Sequence, residues 1–244
     1  MNAQIESVAA LLRGAQAVTV LTGSGVSAES GIPTFRDAQT GLWARYRPEE
    51  LATPEAFERN PQLVWDWYEW RRGMVREAQP NPAHVALAQL EARVKGLTLI
   101  TQNVDGLHQR AGSRDVLELH GNILRSKCFD EDMVAEDFDM AHVPPRCLRC
   151  GGNMRPDVVW FGEALPAGVL RKAIEAAQAC EVFLSIGTSA LVYPAAELPH
   201  TARVAGAKVV EINRDPTPLS ESTHYALHGK AGEILPLIMQ RINP

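Results

Sequence analysis

Residues Val18 to Asp37 read VTVLTGSGVSAESGIPTFRD, and this stretch decides the fold. Val18 to Leu21 is an apolar, β-branched run, the pattern of a buried parallel strand. It passes at once into Gly23-Ser24-Gly25-Val26-Ser27-Ala28, a G-x-G-x-x-A spacing. That spacing makes a tight turn whose backbone N–H groups can approach a pyrophosphate. Taken alone it is equally a plain glycine-rich turn. An ordinary dinucleotide fold would continue directly into a long helix. Here Gly31 and Pro33 interrupt it, so a loop carrying Phe35, Arg36 and Asp37 is expected over the bound nucleotide.

Working outward, apolar β-rich runs recur at Leu97–Thr101, Val116–Leu119, Val182–Ile186 and Lys208–Ile212. Helical patterns separate several of them: Asn81–Val94, Pro166–Ala179 and Pro194–Ala205, with a leading helix over Ile5–Arg13 and a closing one over Ala231–Arg241. Asn60-Pro61 and Asn81-Pro82 each offer an N-cap followed by proline at the first helical position. The alternation predicts an α/β fold with a doubly wound, parallel, Rossmann-like sheet that binds ligands at the carboxyl ends of its strands. Residues 1–41, 80–125 and 156–244 are assigned to that sheet domain. Two stretches break the pattern and are read as a small inserted module. One is helical and aromatic-rich, residues 42–79; the other, residues 126–155, is cysteine-bearing and zinc-ribbon-like.

The net charge of −5 over 244 residues argues against nonspecific nucleic-acid binding. No apolar run approaches the roughly 18 residues of a membrane helix, and the start lacks a signal-peptide pattern. A cytoplasmic protein is expected, without membrane or nucleic-acid partners; oligomeric state is left open. Four cysteines, two of them in a C-x-x-C pair, suit a reducing compartment and a metal.

Polar groups cluster where strands end. Thr101-Gln102-Asn103-Val104-Asp105-Gly106-Leu107-His108 reads as a capped helix start or as a ligand-binding turn. His120-Gly121-Asn122 offers a histidine that is either structural or a base, since imidazole titrates near neutrality. Gly187-Thr188-Ser189 and Asn213-Arg214-Asp215 follow two buried runs, where turn chemistry alone would also explain them. Tyr68 and Arg71 lie three apart and share a helix face. Cys180 reads as core, and His84, His108, His142 and His200 as structural or solvated.

Five of these motifs, in this order over nearly the whole chain, resemble the sirtuins, whose members consume NAD as a co-substrate. The resemblance implies an NAD-dependent protein-lysine deacylase that moves the acyl group to ADP-ribose and releases nicotinamide. It makes His120 the general base, with Asn103 and Asp105 positioning the ribose. Cofactor contacts would come from Gly23, Ser24, Gly25, Ser27, Ala28, Phe35, Arg36, Gln102, Asn103, Asp105, Gly187, Thr188, Ser189 and Asn213, and more loosely from Ala231. Pro156 to Glu163 resembles the edge that pairs with substrate peptide, with Val159, Trp160 and Phe161 around the lysine stem. Tyr68-x-x-Arg71, with Thr34 where many sirtuins carry an acid, resembles the desuccinylase and demalonylase branch, class III. The family's structural zinc sits between two C-x-x-C pairs. Here Cys128, Cys147 and Cys150 match, Glu131 stands where the fourth cysteine would be, and Asp130 or Glu131 is left to supply an oxygen. An NAD or ADP-ribose sensor, an ADP-ribosyltransferase and an NAD(H) dehydrogenase are the alternatives.

Overall fold

A computed structural model gives the fold, and residues 2–34 and 46–242 are described. In chain order the first elements are α1 (Asn2–Gly14), β1 (Val18–Thr22), α2 (Ser24–Ala28), α3 (Pro48–Leu51), α4 (Pro54–Arg59), α5 (Pro61–Glu77) and α6 (Pro82–Glu91). Next come β2 (Leu97–Thr101), α7 (Leu107–Arg110), β3 (Val116–Glu118), β4 (Gly121–Cys128), β5 (Val134–Ala135), β6 (Phe138–Asp139), β7 (Arg146–Cys147) and β8 (Met154–Val158). The chain closes with α8 (Ala167–Ala179), β9 (Val182–Ile186), α9 (Leu198–Val204), β10 (Lys208–Asn213), β11 (Tyr225–His228) and α10 (Ala231–Ile242). Among the described residues no helix is long and apolar enough to cross a membrane.

The described residues fall into two compact units. The larger draws on Met1–Thr34, Gln79–Leu119 and Pro166–Pro244. Its six strands are all parallel, in the order β11-β10-β9-β1-β2-β3. Strand order reverses at β1: β2 and β3 extend to one side, β9 to β11 to the other. In doubly wound sheets such a switch point opens the ligand crevice. Every residue of β1 and β9 is buried, which explains their mainly apolar character, with Thr19, Thr22 and Ser185 the buried polar exceptions. Leu12 of α1, Leu87 of α6 and Leu235 of α10 pack in one core with Val20 and Leu184 of the sheet. Asn81 caps α6 as its sequence signal predicts, its side chain accepting from the Ala83 N–H. The helix expected over Pro194–Ala205 is instead a 3₁₀ turn, Ala195–Glu197, followed by α9.

The smaller unit draws on Phe35–Ala78 and His120–Leu165. Residues 120–125 and 156–165, expected in the sheet domain, belong here because β4 pairs antiparallel with β8, from Gly121↔Val158 to Cys128↔Met154. Between Asn122 and Ser126 the pairing slips and β4 bulges. The buried Arg72 guanidinium fills that bulge, donating from Nε to the Ile123 carbonyl at 2.5 Å and from Nη2 to the Arg125 carbonyl at 2.9 Å. Trp65 of α5 packs with Cys128, Cys147 and Met154 in this unit's own core.

Candidate active site

In the larger unit the carboxyl ends of β1, β2, β9 and β10 are joined by one hydrogen-bond network. Gly23 N–H donates to the Ile186 carbonyl at 3.0 Å, and Gly25 N–H to the Gly187 carbonyl at 2.8 Å. A Cβ at either glycine would stand 2.8 Å from the Gly187 oxygen, and Gly187 itself takes φ +59. Only glycine allows this dovetail. The G-x-G pair therefore serves strand packing, and with these two amides engaged, amide contact to a phosphate falls to neighbouring residues.

From β2, the Asn103 side-chain amide donates to the Gly23 carbonyl at 3.0 Å and to Ser27 Oγ at 2.9 Å. The Ser27 hydroxyl donates to Asp105 Oδ2 at 2.7 Å, while the Leu107 N–H donates to Asp105 Oδ1 at 2.9 Å. Burial nevertheless holds the Asp105 carboxyl above its ordinary value. Gln102 Nε2 donates to Thr188 Oγ1 and Asn213 Nδ2 to the Thr188 carbonyl, both at 2.9 Å. Gly23, Gly25, Ser27, Gln102, Asn103, Asp105, Gly187, Thr188 and Asn213 thus converge. Ser24, Ala28 and Ser189 flank them, and Ala231 begins α10, outside this network. Phe35 and Arg36 lie outside the described residues.

A second layer beneath this network carries no sequence signal of its own. The Thr22 hydroxyl donates to Thr101 Oγ1, which also accepts from the Asn103 N–H, at 2.9 and 3.0 Å. His108 Nε2 meets Thr22 Oγ1 at 2.9 Å, and His84 Nδ1 meets the Asn81 N–H at 3.3 Å. The two imidazoles stand 4.8 Å apart, both buried. Desolvation pushes their pKa values down to about 4 for His84 and about 3 for His108, so both are neutral donors and acceptors. Asn81 adds a bond from its side chain to the Val26 carbonyl at 2.8 Å. Only the tertiary fold reveals these roles.

In the smaller unit His120 is half-buried, and its carbonyl accepts from the Val159 N–H at 2.9 Å. The following Gly121 takes φ +78, and a Cβ there would meet the Asp157 carbonyl at 2.1 Å, which accounts for the His-Gly pair. Tyr68 and Arg71 are buried on one face of α5. Trp160 is buried too, Val159 half-buried and Phe161 47% exposed. The N–H groups of Val159, Trp160 and Phe161 bond the His120 carbonyl, Glu163 Oε2 and the Ala52 carbonyl. Main-chain pairing with a peptide at 159–161 is thereby left to groups other than these three amides.

The metal-type residues also converge. The sulphurs of Cys128, Cys147 and Cys150 and a carboxylate oxygen of Glu131 all lie within 4.8 Å of one another, a spacing that suits a tetrahedral cation. The cysteines are thiols, with Cys128 and Cys150 sulphurs 3.4 Å apart. Glu131 Oε2 is buried and accepts no hydrogen bond; the Arg149 Nε lies 3.3 Å away. The Asp130 carboxylate instead packs over Gly152, where a Cβ would meet Oδ2 at 2.1 Å. The donor set fits zinc, with Glu131 rather than Asp130 beside the thiols. Cys180 is core, its thiol on the Ala177 carbonyl.

A parallel sheet with polar side chains gathered at its switch point defines a nucleotide-binding α/β protein. The Sir2 family model matches residues 23–194. The "NAD-dependent protein deacylase 2" of Pyrobaculum aerophilum is 52% identical over 97% of this chain and 95% of its own length. Among solved structures, a Sir2 homolog–NAD complex superposes with a TM-score of 0.89 at 47% identity, covering 97% of this chain and 93% of that one. A Sir2 protein bound to acetylated peptide gives a TM-score of 0.84 at 32% identity, with 97% of each chain covered. The chain belongs to the Sir2 family, the sirtuins.

Proposed function

We propose that this protein is an NAD-dependent protein-lysine deacylase acting on acylated lysine side chains of proteins. The observation that carries the reading is the Ser27–Asn103–Asp105 network at the switch point, in a chain of this family. NAD is a co-substrate: the acyl oxygen displaces nicotinamide from the ribose. His120 then takes the proton of a ribose hydroxyl, which attacks the acyl-derived carbon. Water completes the exchange, giving free lysine, nicotinamide and O-acyl-ADP-ribose. Asn103 and Asp105 hold the ribose, and the buried Thr22–Thr101–His108 layer holds Asn103.

Incubation with NAD and an acyl-lysine peptide is expected to release one nicotinamide per lysine freed, with O-acyl-ADP-ribose as co-product. Reduced NAD with nicotinamide still attached would mark a dehydrogenase. Binding of NAD without deacylation would mark a sensor.

The finer reading is that the acyl group ends in a carboxylate, as in succinyl or malonyl. Arg71 supplies a planar fork for two charge-assisted bonds and Tyr68 a hydroxyl for a third. An acetyl group offers neither of them a partner.

Zinc is the structural metal of the smaller unit, held by Cys128, Cys147, Cys150 and Glu131. After dialysis against a chelator, Glu131→Ala is expected to retain markedly less zinc per chain than the parent. Equal retention would remove Glu131 from the ligand set.

A further inference from the structure

Trp160 was expected as apolar lining, yet its polar atom is committed. The indole Nε1–H donates to the Tyr68 hydroxyl oxygen at 2.9 Å, with both side chains buried. Indole nitrogen is only a donor, so it fixes what the phenol can do. With its oxygen accepting from Trp160, the hydroxyl is left to donate its own proton elsewhere. Among the described residues the Trp160 contact is the one hydrogen bond of that hydroxyl.

Trp160 is itself held from several sides. The Arg155 guanidinium carbon sits 3.3 Å from the indole centroid, and the Phe57 ring packs at 5.3 Å. Arg155 pairs both oxygens of Glu163, through Nη1 at 2.5 Å and Nη2 at 2.9 Å. Glu163 Oε2 also accepts the Trp160 main-chain N–H at 2.7 Å. One ion pair thus restrains the residue's backbone and covers its ring. Beyond Tyr68, one helical turn along α5, the Arg71 guanidinium lies 5.2 Å over the Trp67 ring, which meets the Tyr68 ring edge-on at 4.6 Å.

We propose that Trp160 is a positioning residue for acyl selectivity: held by the Arg155–Glu163 pair, its indole N–H makes Tyr68 a dedicated donor to the carboxylate of a dicarboxylic acyl chain. The inference rests on the carboxylate-acyl reading above. A phenol free to rotate would both accept and donate. One whose oxygen already accepts from the indole has its O–H turned away from Trp160 and ready to donate, and a carboxylate is an acceptor only. Burial, which pushes the Tyr68 pKa up to about 12, keeps that proton in place at physiological pH.

The test is the ratio of kcat/KM on matched succinyl-lysine and acetyl-lysine peptides, so that effects on the lysine stem cancel. Trp160→Phe keeps an aromatic ring at the position and removes the pyrrole ring with its N–H, and any packing change that results is shared by both peptides. It is expected to lower the succinyl/acetyl ratio about 2- to 12-fold, the worth of one hydrogen bond. In a Tyr68→Phe background the same change is expected to leave the ratio where Tyr68→Phe put it, because Trp160 acts through that hydroxyl. If the parent prefers succinyl and Trp160→Phe leaves the ratio intact, or shifts it equally in both backgrounds, the proposal is overturned while the carboxylate reading stands. If the parent prefers acetyl, both fall.

Discussion

His120→Ala should abolish net deacylation while leaving the exchange of labelled nicotinamide into NAD. General bases contribute typically 10²- to 10⁴-fold, and the loss in kcat/KM is expected in that range. The separation follows from the order of events: nicotinamide leaves before any hydroxyl is deprotonated. The fold should not confuse the result, because position 120 is fixed through its backbone. Its carbonyl holds the Val159 N–H, and Gly121 supplies the positive φ that lets β4 begin. The imidazole itself is half-buried. Unchanged deacylation would remove His120 as base. Loss of exchange along with deacylation would make it a residue that binds NAD.

Arg71→Met should invert the acyl preference. A buried guanidinium carries a desolvation penalty, visible as a pKa held below its ordinary value. A substrate carboxylate would offset it. Hydrogen bonds to charged groups contribute about 1.5–3 kcal/mol, so succinyl-lysine kcat/KM is expected to fall roughly 10- to 150-fold, mainly through KM. Acetyl-lysine turnover should change far less. Parallel losses on both peptides would make Arg71 a packing residue. The neighbouring Arg72 has a structural task, with its donors on the β4 bulge and on Glu69.

Much of this was legible in the sequence because local patterns and tertiary roles coincide there. β1 and β9 are buried on both faces, so their sequences are mainly apolar rather than alternating. Gln102, Asn103 and Asp105 follow β2 directly, and a strand's carboxyl end in such a sheet is where ligands sit. What escaped depends on partners distant in the chain. The glycines of the G-x-G turn look like a phosphate cradle until Gly187 is seen against them. The unit boundary near residues 120 and 156 is set by antiparallel pairing across a bulge, which leaves no periodicity to read. His84 and His108 acquire meaning only through each other and through Thr22. The choice of Glu131 over Asp130 turns on where each carboxylate swings.

The interlock of Gly25 with Gly187 also has a kinetic side. The two glycines come from opposite ends of a long stretch of chain, so their interlock has no precursor in any local segment. It comes into being when β1 and β9 align, a long-range parallel pairing of the slow-forming kind. A nascent chain that has not yet delivered residue 187 lacks this interlock and the bonds that Gln102 and Asn213 make to Thr188. NAD bound at this switch point, as proposed, would favour the completed sheet and add about 2.7 kcal/mol to its persistence when it stands at 100 times its Kd. Swings in the cellular NAD pool would then alter the lifetime of this enzyme as well as its turnover.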